Sequence, residues 1–229
     1  ISKGAGMIQP NMATMLGFLA TDAKISQALL QSSLSQAVEK SFNRITVDGD
    51  TSTNDACTLL ASGASAAPLI QLGTPEYDVF AAALDRVCKR LAELIVRDGE
   101  GATKLMRIVV EQASNSEEAV QVAKTIAHSP LVKTAFFASD PNWGRILAAV
   151  GRAGVINMDL DVIEIFLGEV CIVRNGGRAE TYTEAAGQQV MNQAEITITV
   201  RLGRGSAIEE VLTCDFSYDY VKINAEYRT

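Results

Sequence analysis

Between Pro75 and Arg97 apolar residues recur at Val79, Phe80, Ala83, Leu84, Val87, Leu91, Leu94 and Ile95, a helical period with polar residues on the opposite side. This segment constrains the fold more than any other, because a long helix with one broad apolar face has to lie against a surface of comparable length. It is expected to stop at Gly99. A second helical period runs from Ser26 to Phe42, with Leu29, Leu30, Leu34, Ala37, Val38 and Phe42 on one side and Ser26 placed to cap it. Ser116 to Ala127 is a third, with Ser116 as cap and acids in the first turn. Ile146 to Val150 is a shorter one, for which Asp140 suits the cap and Pro141 the first helical position. Ser217 to Ile223 is the last.

The remaining apolar runs read as strands. Met15 to Ala20 suits a buried strand, and Arg44 to Val47, Lys104 to Gln112 and Val132 to Ala138 are further strand signals. In the last third, Val162 to Leu167 and Val170 to Val173 resemble a hairpin across Gly168-Glu169. Glu195 to Leu202 and Ile208 to Asp215 resemble another across Gly203-Arg204-Gly205-Ser206. Strand and helix alternate early and hairpins dominate late. That order favours an α/β chain of mixed α+β character, a layered sandwich of mixed sheets and helices, over a doubly wound parallel sheet.

Composition narrows the functional classes. The 229 residues are 48% hydrophobic, enough for one large domain or two small ones. Net charge is −7, and the Lys and Arg residues are spread along the chain, so no footprint for nucleic acid is visible. No apolar run reaches the ~18 residues a membrane helix needs, and the first residues do not read as a signal peptide; a cytoplasmic place is expected. Ile1 stands where an initiator Met would be, so the sequence reads as the interior of a longer protein. Cys57, Cys88, Cys171 and Cys214 are far apart in sequence and suit buried thiols better than a zinc site; no metal is expected. The single histidine, His128, ends a helix, where it is a favourable cation with no obvious nucleophile to serve.

Candidate chemistry collects in three stretches. Thr14 opens the apolar run after Pro10-Asn11-Met12-Ala13 and, from this stretch alone, is first an ordinary β-branched strand residue. A hydroxyl at the start of a buried strand is nevertheless held still. If the Ala13-Thr14 bond were cut, the α-amino group, with an ordinary pKa of about 7.7–8.0, would place nucleophile and base in one residue. Lys3, in the glycine-containing run Ile1 to Met7, is either solvated or turned toward an anion. Asp48 to Asp55 contains no apolar side chain; its sixth position as a calcium loop is Thr53 and its twelfth Leu59, so calcium is rejected. It reads as a polar turn beside an active site. Glu100, between Gly99 and Gly101, is either a solvated loop acid or a group for a substrate ammonium. Arg145, in Ser139-Asp140-Pro141-Asn142-Trp143-Gly144-Arg145, suits an anion contact or a structural tie equally.

Taken together, Lys3 to Met7, Asn11 to Leu16, Thr21-Asp22-Ala23, Asp48 to Asp55, Ser139 to Arg145 and Asn224-Ala225-Glu226-Tyr227-Arg228-Thr229 closely resemble the ornithine acetyltransferase (glutamate N-acetyltransferase) family of arginine biosynthesis, along the whole chain. The resemblance implies an N-terminal-nucleophile type fold and a precursor that cuts itself between Ala13 and Thr14. Residues 1–13 would then be the tail of an upstream α segment and residues 14–229 a β segment, in one piece or in two subdomains meeting near 100–160. It implies Thr14 as nucleophile and Lys3, Thr14, Glu100, Asn224 and Thr229 as substrate contacts. It also implies an oxyanion hole on the upstream segment, a heterotetramer of two α and two β segments, and no cofactor. The activity expected is acetyl transfer from N-acetylornithine to glutamate, with acetyl-CoA as a further donor if the enzyme is bifunctional. A threonine-nucleophile amidase or aminopeptidase and a non-catalytic subunit are the alternatives.

Overall fold

A computed structural model describes residues 1–11 and 14–227. The chain divides into two compact units, Ile1–Asp98 and Gly99–Thr229, each with its own sheet.

The first unit is built on a three-stranded sheet of β1 (Ser2–Lys3), β2 (Leu16–Thr21) and β3 (Ala56–Ala61), with α1 (Gln27–Glu39) between β2 and β3 and α2 (Pro75–Arg97) after them. β1 runs antiparallel to β2, and β2 runs parallel to β3 with Leu16 opposite Ala56. A parallel pair needs a crossover, which α1 and the polar loop supply. Ser26 caps α1 as expected, and Thr74 with Pro75 starts α2. The apolar faces of α1 and α2 meet in a core of Leu34, Val38, Phe42, Leu84, Cys88, Ile95 and Val96, joined by Ile8 and Met15. Gly17 makes room on β2: a Cβ there would lie 3.1 Å from the Cys57 sulfur and 3.6 Å from the Phe42 ring.

The structure corrects two expectations in this unit. Met15 to Ala20 is not buried on both sides: Met15 and Leu19 point into the core, while Phe18 is 53% exposed, on the same sheet face as the 64% exposed Leu60 of β3, which lies opposite Ala20. The helices cover one face of the sheet only. Arg44 to Val47 is not a strand but the exit of a 3-10 turn, Phe42–Arg44, whose Phe42 fills the core.

The second unit has a six-stranded mixed sheet. In chain order its elements are β4 (Leu105–Ala113), α3 (Ser116–Ala127), α4 (Pro130–Phe137), α5 (Trp143–Gly151), β5 (Glu164–Leu167), β6 (Val170–Arg174), β7 (Gly177–Arg178), α6 (Glu184–Met191), β8 (Glu195–Arg201), β9 (Ala207–Cys214) and α7 (Tyr218–Glu226). The strand order is β7-β6-β5-β8-β4-β9. The β5–β6 hairpin across Gly168-Glu169 is as expected. β8 and β9 do not pair: β4 lies between them, parallel to β8 and antiparallel to β9. The glycine-rich link instead closes on β4, where Arg204 and Gly205 donate N–H bonds to Gln112 O at 2.8 and 3.0 Å. Along β4 and β8 alternate residues are buried, Ile108, Val110, Ile196, Ile198 and Val200 facing Val122, Ile126, Ile146 and Val150 of the helices. The other sheet face carries Arg107 with Glu195 and Glu210, and Arg201 with Glu111 and Glu164.

Val132 to Ala138, read as a strand, is helix α4. Its starting signal is Ser129 as cap followed by Pro130 at the first helical position. The caps of α3 and α5 are Asn115 and Asn142, in place of Ser116 and Asp140. Helix α6 had no counterpart among the expected elements.

The fully buried Cys88 thiol is pushed up to about 12, first by burial and then by Cys57 and Asp85. The folded chain therefore keeps a proton that the unfolded chain releases near 9.0, so this stability is intact below that value and is lost as pH rises toward about 12. Urea melts on either side of pH 9 should show Cys88→Ala losing less stability over that interval than the parent chain.

Candidate active site

The polar loop from Asp48 to Asp55 holds the segment that leads into β2. Asp48 reaches back: Oδ2 accepts the Met7 N–H at 2.7 Å and Oδ1 the Ile8 N–H at 3.1 Å. Val47 donates its N–H to Ile8 O at 2.8 Å, and the Thr51 hydroxyl donates to Gln9 O at 2.9 Å. Three side chains of this loop, Asp48, Thr51 and Asp55, thus act as partners for the backbone of another segment, which a run of apolar residues cannot do.

The far end of the loop takes Thr14. Parallel pairing of Leu16 with Ala56 sets Asp55 beside Met15, and Ala56 donates its N–H to Met15 O at 2.9 Å. Asp55 Oδ1 accepts the N–H of Thr14 and, at 2.7 Å, that of Met15. The Thr14 hydroxyl donates to Ser52 Oγ at 2.7 Å, and Ser52 Oγ is fixed in turn by the Asn54 N–H at 3.1 Å. Ser52 and Asp55 are only 4% and 7% exposed, while Thr14 is half-buried. The nitrogen and the hydroxyl oxygen of Thr14 are therefore held by separate side chains of one loop. Lys3 lies on β1 opposite Leu16 and its side chain is exposed.

Nearby thiols are poor competitors for the nucleophile's role. Burial pushes Cys57 up from its ordinary value, and Cys88 higher still, so neither is a thiolate near neutral pH.

In the second unit, Glu100 and Asn224 meet: Asn224 Nδ2 donates to Glu100 Oε2 at 2.8 Å and to Tyr220 O at 3.0 Å. The loop carrying Glu100 is tied to the start of α7 by groups that sequence reasoning did not single out. The Ser217 hydroxyl donates to Gly101 O at 2.6 Å. The fully buried Asp215 carboxylate accepts the Thr103 N–H and the Lys104 N–H, each at 2.8 Å, and the Thr103 hydroxyl at 2.5 Å. Gly101 has φ +67°, and a Cβ there would lie 2.4 Å from Tyr220 N, so the close approach of loop and helix requires glycine. The buried Lys133 supports the same turn, with its ammonium 4.4 Å from the Phe216 ring centre and bonded to Thr213.

Thr14 and Lys3 belong to the first unit, Glu100 and Asn224 to the second. Ala13 and Thr229 lie outside the described residues. His128 caps the C-terminus of α3, and Arg145 donates to Leu131 O at 2.8 Å, a structural tie between α5 and α4. Among the described residues no cluster of His, Cys, Asp and Glu is arranged to hold a metal ion, and no helix is long and apolar enough to cross a membrane.

Residues 1–229 match the ArgJ family. The chain belongs to that family. It is 65% identical to the arginine biosynthesis bifunctional protein ArgJ of Methylococcus capsulatus, over all of this chain and 56% of that protein. It is 59% identical to the protein of the same name from Pseudomonas fluorescens, over all of this chain and 57% of that one. The chain thus spans about half the length of the curated relatives it matches. The crystal structure of arginine biosynthesis bifunctional protein ArgJ from Bacillus halodurans superposes with a TM-score of 0.88 at 41% identity, covering 93% of this chain and 100% of that one. The mixed sheets and helices described above are therefore those of an ArgJ fold, and the recognition drawn from the motifs agrees with the family match.

Replacing Asp215 by Ala strands three donors in a dry site, and is expected to cost about 3 kcal/mol or more. Chemical denaturation should register that loss, and amide exchange at Thr103 and Lys104 should accelerate with it.

Proposed function

We propose that this chain is the catalytic part of an enzyme that moves an acetyl group from N-acetylornithine to glutamate through an ester on Thr14. The observation that carries the reading is the double hold on Thr14, its hydroxyl on Ser52 and its nitrogen on Asp55, at the start of a strand in a family of arginine-biosynthesis proteins.

The chain is first cut before Thr14, which frees the α-amine. That amine takes the proton of Oγ1 as the oxygen attacks the acetyl carbonyl, and the carbonyl electron pair moves onto its oxygen. When the adduct collapses the amide C–N bond breaks, and the proton leaves with ornithine. Glutamate's amine then attacks the threonine ester, its proton returns by way of the α-amine to Oγ1, and N-acetylglutamate departs. An ester conserves the acyl group without ATP as long as water is kept out. No cofactor enters this scheme.

Charge assigns the remaining roles: Lys3 to a substrate carboxylate, and Glu100, steadied by Asn224, to a substrate ammonium. The oxyanion donors belong to an upstream α segment, whose absence would raise the barrier by about 3 kcal/mol or more. The exposed apolar face of β2 and β3, with Phe18 and Leu60, and the greater length of the relatives support such a partner. The assembled enzyme is a heterotetramer of two α and two β segments working in the cytoplasm. Acetyl-CoA serves as a second donor if the bifunctionality in the relatives' names extends to this chain.

In a full-length precursor, Thr14→Ala should abolish both chain cleavage and acetyl transfer, whereas Thr14→Ser should keep part of each. Cleavage is read by intact mass and transfer by product analysis. Retained transfer in the alanine variant overturns the assignment; acetate release that ignores added glutamate points to an amidase.

A further inference from the structure

Asp55 is in contact with Thr14, and one of its oxygens has no partner among the described residues. Oδ1 accepts two neighbouring backbone N–H groups, those of Thr14 and Met15. Oδ2 is buried and has no hydrogen-bond partner among the described residues. A dry, unpartnered carboxylate oxygen is costly and uncommon, and it asks for a donor.

The charged and titratable groups on the elements around Thr14 are Lys3 on β1, Asp48, Asp50 and Asp55 on the loop, and Cys57 on β3. Asp48 is engaged by the N–H groups of Met7, Ile8 and Asp50. Burial keeps the Cys57 thiol uncharged. Asp55 alone among them is bonded to the Thr14 nitrogen.

Resting on the reading of Thr14 as nucleophile, we infer that Asp55 is the positioning residue for its amine, holding the nitrogen before the chain is cut and orienting it afterwards as base for the hydroxyl. An amide nitrogen offers one N–H; the ammonium that replaces it offers three. Cleavage therefore creates the donor that Oδ2 lacks. When Oγ1 gives its proton to the amine, the new cation forms against a carboxylate at hydrogen-bond distance. Asp55 orients the amine through this contact, the part a buried aspartate plays toward the histidine of a Ser-His-Asp triad. Ser52 meanwhile fixes the oxygen, so that proton donor and acceptor are aligned by two different anchors.

The test is Asp55→Asn in the full-length precursor, because asparagine keeps an acceptor oxygen for both N–H groups while removing the charge and replacing the Oδ2 acceptor with an amide NH2. Transfer kcat should fall about 100-fold or more with KM little changed. The acid limb of its pH profile should move down by about one unit. A wild-type kcat with an unmoved acid limb would overturn the role of Asp55. The wild-type enzyme gives a second measurement that needs no variant: carbamoylation of the Thr14 amine by cyanate, followed by mass spectrometry against pH. A midpoint above the ordinary range of about 7.7–8.0 is expected, and one within or below that range contradicts the inference. Thr14→Ala separates the two claims. If that variant still transfers acetyl groups the nucleophile reading fails; if it is inactive while Asp55→Asn is unimpaired, only the role of Asp55 fails.

Discussion

The parallel pairing of β2 with β3 is the constraint from which the Thr14 site follows. Leu16 lies beside Ala56, so the residues that precede the two strands, Met15 and Asp55, are brought side by side. Thr14 and Met15 arrive there with backbone N–H groups that no strand accepts, and a buried orphan donor is costly. An aspartate one residue ahead of β3 resolves that cost through Oδ1. The anion needed to satisfy the backbone is thereby placed against the nitrogen of the residue proposed to react.

The same device recurs. Asp48 gathers the N–H groups of Met7 and Ile8, Asp55 those of Thr14 and Met15, and Asp215 those of Thr103 and Lys104. In each case a short acid collects two successive amides from a distant segment, and Asp55 and Asp215 do so from the end of a strand. A carboxylate serves here because two oxygens with several lone pairs can accept from a bent backbone, where a strand partner would need regular spacing. The first two fix the approach to Thr14 and the third fixes the loop that bears Glu100. Stability and the proposed function share these contacts, so the chain cannot relax one without disturbing the other.

How much of this was legible in the sequence depends on the range of each interaction. Pro75–Arg97 and Gln27–Glu39 were readable because their apolar faces repeat locally and their caps are adjacent. Val132 to Ala138 was misread because its short apolar run contains a β-branched residue and aromatics, while the deciding signal, Ser129-Pro130, precedes it. Residues 195–214 showed two strands and a glycine turn, yet no local pattern can announce that β4, far earlier in the chain, inserts between them. Among the candidate residues, Thr14 and Glu100 were visible as a hydroxyl opening an apolar run and an acid between two glycines, Asn224 came only from a resemblance spread over the chain, and the polar loop was visible as a turn. The particular partners Ser52 and Asp55 were not, because their contacts with Thr14 span 38 and 41 residues and depend on strand register. Asp215 and Ser217 escaped for the same reason, acting across 112 and 116 residues.

Membership in the ArgJ family and the hold on Thr14 motivate the central proposal, that this hydroxyl carries the acyl group. The direct measurement is mass spectrometry of the full-length enzyme quenched in acid during turnover with N-acetylornithine and no glutamate. The account predicts an acetyl increment on the peptide that begins at Thr14, removable by hydroxylamine and discharged when glutamate is added before the quench. Turnover with Thr14 unmodified, or with the acetyl group on another residue, would contradict it.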